Sequence, residues 1–185
     1  MGEQRERMLR GELYDASDPE LVGARERCAD LLHRLNWLSN ADRTSRADIL
    51  DELLAAIGPT STVVSPFFCD YGAQITVGAR CFVNAGAVML DCAAVTIGDD
   101  VQVGPNVQLL TATHPVEAAE RASGWELAHP IIIGSGAWLG GGVIVGPGVT
   151  VGERTVVGAG AVVVRDLPAD VVAVGNPARV IRRLA

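Results

Sequence analysis

The sequence predicts a mainly β protein in which short strands wind into a parallel β-helix, with a helical segment at the N-terminus and one loop ejected from the coils. Three observations support this fold. An aliphatic residue recurs at every sixth position in much of the chain, and a glycine commonly follows it. The 185 residues include 21 glycines and 24 valines but only three Trp, three Phe and two Tyr. This composition favours β structure with frequent tight turns over a helical bundle.

Residues 1–60 are predicted to form a helical segment that packs on the rest of the chain. They contain 20 of the 37 charged residues but only four of the 21 glycines. The sequence Ser17-Asp18-Pro19 indicates a helix start, because a capping side chain precedes a proline at the first helical position. Apolar residues then recur at three- and four-residue spacing over residues 21–38. A second helix is expected from about residue 44 to the glycine–proline stop at residues 58–59.

The second part, residues 61–178, carries a period of six residues. In its most regular stretch the aliphatic positions are Ile133, Leu139, Val145, Val151, Val157 and Val163. The same register runs through Val77, slips by two residues after Met89, and resumes at Ile97. A period of six fits neither a helix nor a simple alternating strand. It indicates that six residues form one face of a prism, with the aliphatic side chain inward and the coils stacked on each other.

The positions at which this period stops predict two further segments. Residues 110–130 interrupt the repeat and contain two of the three histidines, so we expect an ejected loop. Such a loop in a repeat array commonly carries function. Residues 179–185 include three arginines and are predicted to be a basic C-terminal tail.

Composition excludes several function classes. The net charge of −7 disfavours nucleic acid as a partner. No run of about 18 apolar residues exists, which excludes a membrane span, and the charged N-terminus lacks the apolar run of a signal peptide. We therefore expect a cytoplasmic protein without membrane partners. The repeat part contains only His114 and His129, whereas a β-helical carbonic anhydrase needs three histidine ligands, so no metal is expected.

Several motifs, in order, resemble the sugar O-acetyltransferases of the hexapeptide-repeat family. The resemblance covers essentially the whole chain and is strongest to maltose and galactoside O-acetyltransferases and nodulation-type acetyltransferases. It is carried by MLRGELYDASDPEL (8–21), CDYG (69–72), VTIGDDVQVGPNVQLLTATHP (95–115), VGAGAVVVRDLP (157–168) and VGNPARVIRRL (174–184). It implies a left-handed parallel β-helix, a homotrimer with sites between subunits, acetyl-CoA as co-substrate, and acetyl transfer to a hydroxyl of a sugar or glycoside.

The resemblance places catalysis on His114 and Asn84. Acetyl transfer from a thioester needs a base for the hydroxyl proton and donors for the developing oxyanion. His114 matches the family's catalytic histidine, and histidine is the side chain that most often takes such a proton. Asn84 matches an asparagine that contacts substrate and transition state, although an amide there could also cap a turn. No covalent acyl-enzyme is expected.

The acceptor and coenzyme sites follow from the same matches. The residues expected to bind the acceptor are Asp70, Asn84, Asp91, Trp125 and Glu126. Carboxylates suit vicinal sugar hydroxyls as paired acceptors. Three of these residues could have other roles. Asp91 could be a turn residue, Trp125 could anchor the loop instead of stacking on a sugar, and Glu126 could orient His114.

The coenzyme is expected to contact residues of the upper coils. The positions that match coenzyme-binding residues of the family are Gly141, Ala159, Val164, Arg165, Arg179 and Arg182. Arginine suits phosphate oxygens because its donors form a planar fork. The alternatives are that the glycines are only corner residues and that the arginines belong to a solvated tail.

Two other functions remain open from the sequence. One is a hexapeptide-type acetyltransferase that modifies a hydroxyl of an antibiotic or another xenobiotic. The other is a non-catalytic β-helical scaffold. Ala73-Gln74 replaces the aromatic residue and asparagine usual after DYG, so the family pattern leaves the identity of the sugar open.

Overall fold

The computed structural model describes residues 2–185 and contains four helices and twenty short strands. The helices are α1 (Glu3–Leu9), α2 (Pro19–Trp37), α3 (Arg43–Leu53) and α4 (Ala118–Arg121). The strands are β1 (Tyr14–Asp15), β2 (Ala56–Ile57), β3 (Thr62–Val63), β4 (Phe67–Cys69), β5 (Ile75–Val77), β6 (Phe82–Val83), β7 (Ala87–Leu90), β8 (Val95–Ile97), β9 (Gln102–Val103), β10 (Gln108–Leu110), β11 (Ala112–Thr113), β12 (Trp125–Ala128), β13 (Ile131–Ile133), β14 (Trp138–Leu139), β15 (Ile144–Val145), β16 (Thr150–Val151), β17 (Val156–Val157), β18 (Val162–Val163), β19 (Val171–Val174) and β20 (Arg179–Arg183). Within residues 2–185, none of the helices combines the length and the apolar character that crossing a membrane requires.

Most strands build a three-sided β-helix, which confirms the predicted fold class. Face A consists of β4, β7, β10, β15 and β18, and face B of β2, β5, β8, β13 and β16. Face C consists of β3, β6, β9, β14, β17 and β19, with β20 added antiparallel to β19. The chain passes from face A to face B to face C in each coil, and neighbouring strands on a face are parallel.

The register between coils explains the hexad and its interruptions. Between strands β13–β15 and β16–β18, partners lie 18 residues apart, as Ile132 and Thr150 do, which is three hexads. In the lower coils they lie 20 apart, as Thr76 and Thr96 do. Across the ejected loop they lie 36 apart, as Thr96 and Ile132 do. The two extra residues and the loop all fall at the turn from face A to face B, which we call the long corner (residues 70–74, 91–94 and 111–130).

The inward column of the hexad forms the core. The six aliphatic residues of the most regular stretch are all fully buried. The glycine that follows an inward aliphatic lies against the backbone of the next coil. A Cβ on Gly140 would lie 2.6 Å from the backbone nitrogen of Ala159, and one on Gly152 would clash with that of Ala169. Glycine is therefore required at these turns because a larger residue would push the coils apart.

The helical segment closes the lower end of the β-helix. Asn36 of α2 donates to the carbonyl of Phe67 and accepts from its N–H, both at 2.9 Å, so its amide pairs with edge strand β4. Arg46 of α3 is buried and donates to the carbonyls of Leu35 and Val63. These contacts satisfy backbone groups at the sheet edge that would otherwise be free to pair with another chain.

Two predicted boundaries are wrong. The helical segment does not extend to residue 60, because α3 ends at Leu53 and Ala56–Ile57 forms β2 on face B. Ile57 pairs with Val77, 20 residues later, so it continues the inward column of the lower coils. Residues 179–185 are not a free tail either. Arg179–Arg183 forms β20, which pairs with β19 and covers the edge of face C.

Candidate active site

The base of the ejected loop is held by a strand from the N-terminus. Strand β12 of the loop pairs antiparallel with β11 on one side and with β1 on the other. Tyr14 lies opposite Glu126, and Thr113 lies opposite Leu127. His114 follows β11 directly. The position of His114 therefore depends on a small sheet that is built partly from residues far away in sequence.

His114 lies at the start of the loop proper, with an exposed side chain. The next residue, Pro115, is buried. The guanidinium of Arg121 in α4 donates to the carbonyls of Pro115 at 3.0 Å and Val116 at 2.8 Å. This contact closes the turn after His114, so the imidazole is accessible while its backbone is restrained. Such an arrangement suits a group that must reach a substrate proton.

Two half-buried carboxylates lie beside this sheet. Asp70 at the long corner accepts a hydrogen bond from the Cys92 thiol at 3.4 Å, and Glu126 accepts one from the Tyr14 hydroxyl at 2.9 Å. Burial raises the pKa of Asp70, and the nearby negative charge of Glu126 raises it further, against the opposing effects of Cys92 and Arg25. Each carboxylate thus has an uncharged donor and further acceptor capacity for hydroxyl groups.

The donors to these carboxylates stay protonated at neutral pH. Burial raises the pKa of Cys92 to about 12 and raises that of Tyr14 well above its ordinary range. Arg25 of α2 donates to the Tyr71 hydroxyl at 2.7 Å and to the carbonyl of Ala16 at 2.7 Å. A thiol and a phenol therefore serve as fixed donors, and an arginine closes the side of the cluster next to α2.

Asp91 has the contacts of a turn residue. Its side chain is fully buried, and its carboxylate accepts hydrogen bonds from the backbone N–H groups of Asp70, Tyr71 and Gln74 at 3.0, 2.8 and 3.2 Å. Burial raises its pKa, although backbone hydrogen bonds that include those from Tyr71 and Gln74 oppose that rise. These contacts are those expected for a turn residue. Asp91 lies against the backbone of residues 70–74, so it shapes the corner that carries Asp70.

Trp125 likewise has the surroundings of a loop anchor. It lies opposite Asp15 in the small sheet and is half-buried. The guanidinium carbon of Arg7 lies 5.7 Å from the centre of its ring, a cation–π distance. One face of the indole is therefore already used by the N-terminal segment.

Asn84 lies at a different corner from His114. The turns from face C to face A form what we call the glycine corner (residues 84–86, 104–106, 140–142 and 158–160). Here Asn84 lines a cleft of about 460 Å³ together with Gly141, Ala159, Phe82 and Trp138. Its side-chain oxygen also accepts from the N–H of Ala85 at 2.8 Å, as the turn-cap alternative requires.

The predicted site residues thus fall into separate groups within one chain. Asp70, Glu126 and His114 belong to the long corner, whereas Asn84, Gly141 and Ala159 belong to the glycine corner. Val164 and Arg165 are exposed at the turn after β18. Arg179 and Arg182 are exposed on β20.

Sequence reasoning missed four residues that contact the two carboxylates or each other behind them, namely Tyr14, Arg25, Tyr71 and Cys92. Tyr14 and Tyr71 stand inside motifs that resemble the family, but nothing in the local spacing indicates their partners. The contact between Tyr14 and Glu126 joins residues 112 positions apart. Among residues 2–185 no group of three or more His, Cys, Asp or Glu side chains is placed to hold a metal ion.

Comparison with known proteins gives three family models and many relatives. The models are the maltose acetyltransferase hexapeptide capping motif over residues 7–58, the hexapeptide repeat of succinyl-transferase over residues 74–110, and the bacterial transferase hexapeptide (six repeats) over residues 130–165. A putative acetyltransferase of Saccharomyces cerevisiae is 44% identical over 97% of this chain and 92% of its own length.

Two solved structures have nearly the same fold. A maltose O-acetyltransferase from Clostridium difficile matches with a TM-score of 0.97 and 43% identity, over 98% of this chain and 97% of the other. A hexapeptide-repeat acetyltransferase from Vibrio cholerae, solved with acetyl coenzyme A, matches with a TM-score of 0.93 and 37% identity over 100% of both chains. The similarity extends over the helical segment, the coils and the loop.

Proposed function

The chain belongs to the hexapeptide-repeat acetyltransferases, and we propose that it transfers the acetyl group of acetyl-CoA to a hydroxyl of a sugar or glycoside. The observation that carries the proposal is the pair of half-buried carboxylates, Asp70 and Glu126, in the cluster at the base of the His114 loop. Carboxylates with free acceptor capacity suit a polyhydroxylated substrate. The match to a maltose O-acetyltransferase over nearly the whole chain supports the sugar class.

In the proposed mechanism His114 acts as general base and then as general acid. Its neutral imidazole takes the proton of the acceptor hydroxyl while that oxygen attacks the thioester carbonyl. Asn84 or backbone N–H groups stabilise the negative charge on the carbonyl oxygen. When the tetrahedral intermediate collapses, the carbon–sulfur bond breaks and the imidazolium returns the proton to the leaving thiolate. The products are the acetyl ester and free coenzyme A, with no acyl-enzyme.

The glycine corner is where we propose that the pantetheine arm of the coenzyme lies. A Cβ on Gly142 or Gly160 would have no atom within 4 Å, so the backbone is open on this side. Phe82 and Trp138 provide exposed apolar surface beside it. The relative from Vibrio cholerae is solved with acetyl coenzyme A. Asn84, Gly141 and Ala159 would then contact the thioester end of the coenzyme.

We further propose a homotrimer with each site shared between two subunits. His114 and Asn84 lie at different corners of one prism, so a second chain is needed to bring them together. The side chains that point outward from each face support packing of face A of one subunit against face C of the next. The outward residues of face A are Phe68, Val88, Gln108, Ile144 and Val162, those of face C are Thr62, Phe82, Gln102, Trp138, Val156 and Val172, and those of face B are Ala56, Thr76, Thr96, Ile132 and Thr150. Faces A and C thus present more large apolar side chains than face B does. Apolar faces of this kind mark interaction surfaces.

Mixing two inactive variants tests the shared site. His114→Ala and Asn84→Ala chains, unfolded and refolded together in equal amounts, should regain activity that neither has alone. If each site takes its histidine from one subunit and its asparagine from the next, about one quarter of the sites, half times half, contain both residues. Activity should therefore return to about a quarter of the wild-type value. A trimer by light scattering that shows no recovery would mean that both residues act within one chain.

Two arginines of β20 are expected to bind the coenzyme phosphates. Arg179→Ala and Arg182→Ala should each raise the Kd of coenzyme A about ten- to a hundredfold, because a hydrogen bond to a charged group contributes roughly 1.5–3 kcal/mol. The loss should shrink at high salt, where the contact is screened in the wild type too. Calorimetry measures the Kd, and Arg183→Ala on the same strand is the matched control. Wild-type affinity in both variants at low salt would place the phosphate site elsewhere.

The acceptor class is tested by turnover against a panel. Purified protein with acetyl-CoA is offered maltose, glucose, a galactoside and a hydroxyl-bearing antibiotic, and release of the free thiol is followed. We expect turnover with one or more of the sugars. Turnover with the antibiotic alone would replace the sugar proposal by the xenobiotic one. Absence of acetyl-CoA binding by calorimetry would favour the scaffold.

A further inference from the structure

We propose that Tyr14 is a positioning residue for the acceptor site, and that it acts by holding Glu126 and the strand that supports His114. The inference rests on the proposed function, because it assigns Glu126 to the acceptor. It concerns a residue of the N-terminal segment, outside the β-helix and outside the ejected loop. The effect is indirect, since the hydroxyl of Tyr14 is already bonded to Glu126.

Packing and one hydrogen bond fix the side chain of Tyr14. Its side chain is 0% exposed and packs in a cluster separate from the main core, with Met8, Leu21, Tyr71 and Cys92. This packing holds the phenol ring from several sides. A buried hydroxyl normally requires a partner, and here the partner is the Glu126 carboxylate at 2.9 Å. The ring is therefore rigid, and the carboxylate is held through it.

Tyr14 and Glu126 are joined both by a side-chain hydrogen bond and by the pairing of their strands. Tyr14 and Glu126 lie opposite each other where β1 pairs with β12. On its other side β12 pairs with β11, through Thr113 and Leu127, and His114 comes next in the chain. Residues 14–15 thus form the outer strand of the sheet that sets the start of the catalytic loop.

The other carboxylate, Asp70, has its donor in the same cluster as Tyr14. The Cys92 thiol donates to Asp70 on one side of the cluster and lies close to the Tyr14 hydroxyl on the other. The phenol and the thiol each donate to one of two carboxylates whose negative charges repel each other. Without the Tyr14 hydroxyl, Glu126 loses the donor that holds it near Asp70, and the repulsion favours its turning away. The two acceptor-binding carboxylates, Asp70 and Glu126, would no longer keep their relative positions.

The test is Tyr14→Phe, which removes one oxygen and keeps the ring. We expect the KM for the acceptor to rise about tenfold, as for one lost hydrogen bond to a charged group. The KM for acetyl-CoA should stay within twofold. The matched control is Tyr71→Phe, which removes a buried hydroxyl of the same cluster whose partner is Arg25. A rise in acceptor KM of equal size in both variants would overturn the proposal, because it would reflect general loosening of the cluster.

A double-mutant cycle identifies Glu126 as the group through which Tyr14 acts. In a Glu126→Ala background, Tyr14→Phe should change the acceptor KM by less than about twofold, since the held carboxylate is absent. An undiminished tenfold effect in that background would show that Tyr14 acts by another route and would overturn the proposal.

Hydrogen exchange separates this proposal from the proposed function. Tyr14→Phe should speed amide exchange in residues 112–113 and 125–128 about tenfold, while exchange in the upper coils stays unchanged. This readout needs no substrate. If wild-type protein acetylates no sugar but the exchange behaves in this way, the function fails and the positioning stands. If exchange at these amides is unchanged while sugars are acetylated, the positioning fails alone.

Discussion

Replacing His114 by alanine is expected to lower kcat by about a hundredfold or more, the usual scale for a lost general base. The side chain is exposed on a restrained turn, so its removal leaves no cavity and should not change the melting temperature. Coenzyme A should bind the variant with wild-type affinity, because the proposed coenzyme contacts lie at the glycine corner and on β20. Steady-state turnover and calorimetry on the same preparation measure both quantities.

His129 provides the matched control for this variant. It is the exposed histidine at the other end of the same loop, and its backbone N–H donates to the carbonyl of Thr111. His129→Ala deletes the same imidazole from the same loop, and we expect it to keep kcat within about twofold of wild type, as for a surface substitution. Near-normal turnover by His114→Ala, or equal losses in both variants, would remove His114 from the proposed mechanism.

The sequence predicts the β-helix well because one physical requirement recurs in every coil. Each face must bury an aliphatic residue, and the turn beside it must let the next coil approach, as at Gly140 and Gly152. The period of six records both requirements directly. The structure explains the slip of two residues after Met89, because the corner there is enlarged and partners in the lower coils are 20 residues apart.

Where sequence reasoning failed, the deciding contact joins distant segments. Ile57 looks like the end of an amphipathic helix, but its pairing with Val77 makes it a strand residue. The basic tail becomes β20 because β19 offers a free edge to pair with. Tyr14 gives no signal of its own, since its partner Glu126 is 112 residues away. Local sequence patterns do not contain such contacts. They therefore predict the repeat but not the residues, such as Tyr14, that support the site from distant segments.

Asp91→Ala is expected to destabilise the protein by about 3 kcal/mol or more, because three backbone N–H groups lose a buried acceptor. These groups belong to residues 70–74, so the corner that carries Asp70 should loosen and the acceptor KM should rise. Urea unfolding measures the stability, and turnover on the folded fraction measures the KM. A variant as stable as wild type would show that the carboxylate does not support the corner.

Asp91→Asn distinguishes a turn residue from a direct acceptor ligand. Its amide oxygen can still accept from the N–H groups of Asp70 and Tyr71, which share one oxygen in the wild type, while its NH₂ faces the N–H of Gln74. We therefore expect a loss of about 1–2 kcal/mol, smaller than for alanine, with a nearly normal acceptor KM. A wild-type stability combined with a large rise in KM would instead make Asp91 a direct ligand of the acceptor.

The pH dependence of stability provides an independent check on the role of Asp91, through the comparison of wild type with Asp91→Asn. Burial raises the pKa of Asp91 in the folded protein above that in the unfolded chain. A carboxyl with a raised pKa adds most to stability below its unfolded pKa, about 3.9, and that contribution is lost as the pH rises through the folded value. Asp91→Asn has no such titration. The stability of wild type relative to Asp91→Asn should therefore decrease as the pH is raised from 3 towards 7. An increase over this range would show that the backbone hydrogen bonds lower the folded pKa of Asp91 by more than burial raises it.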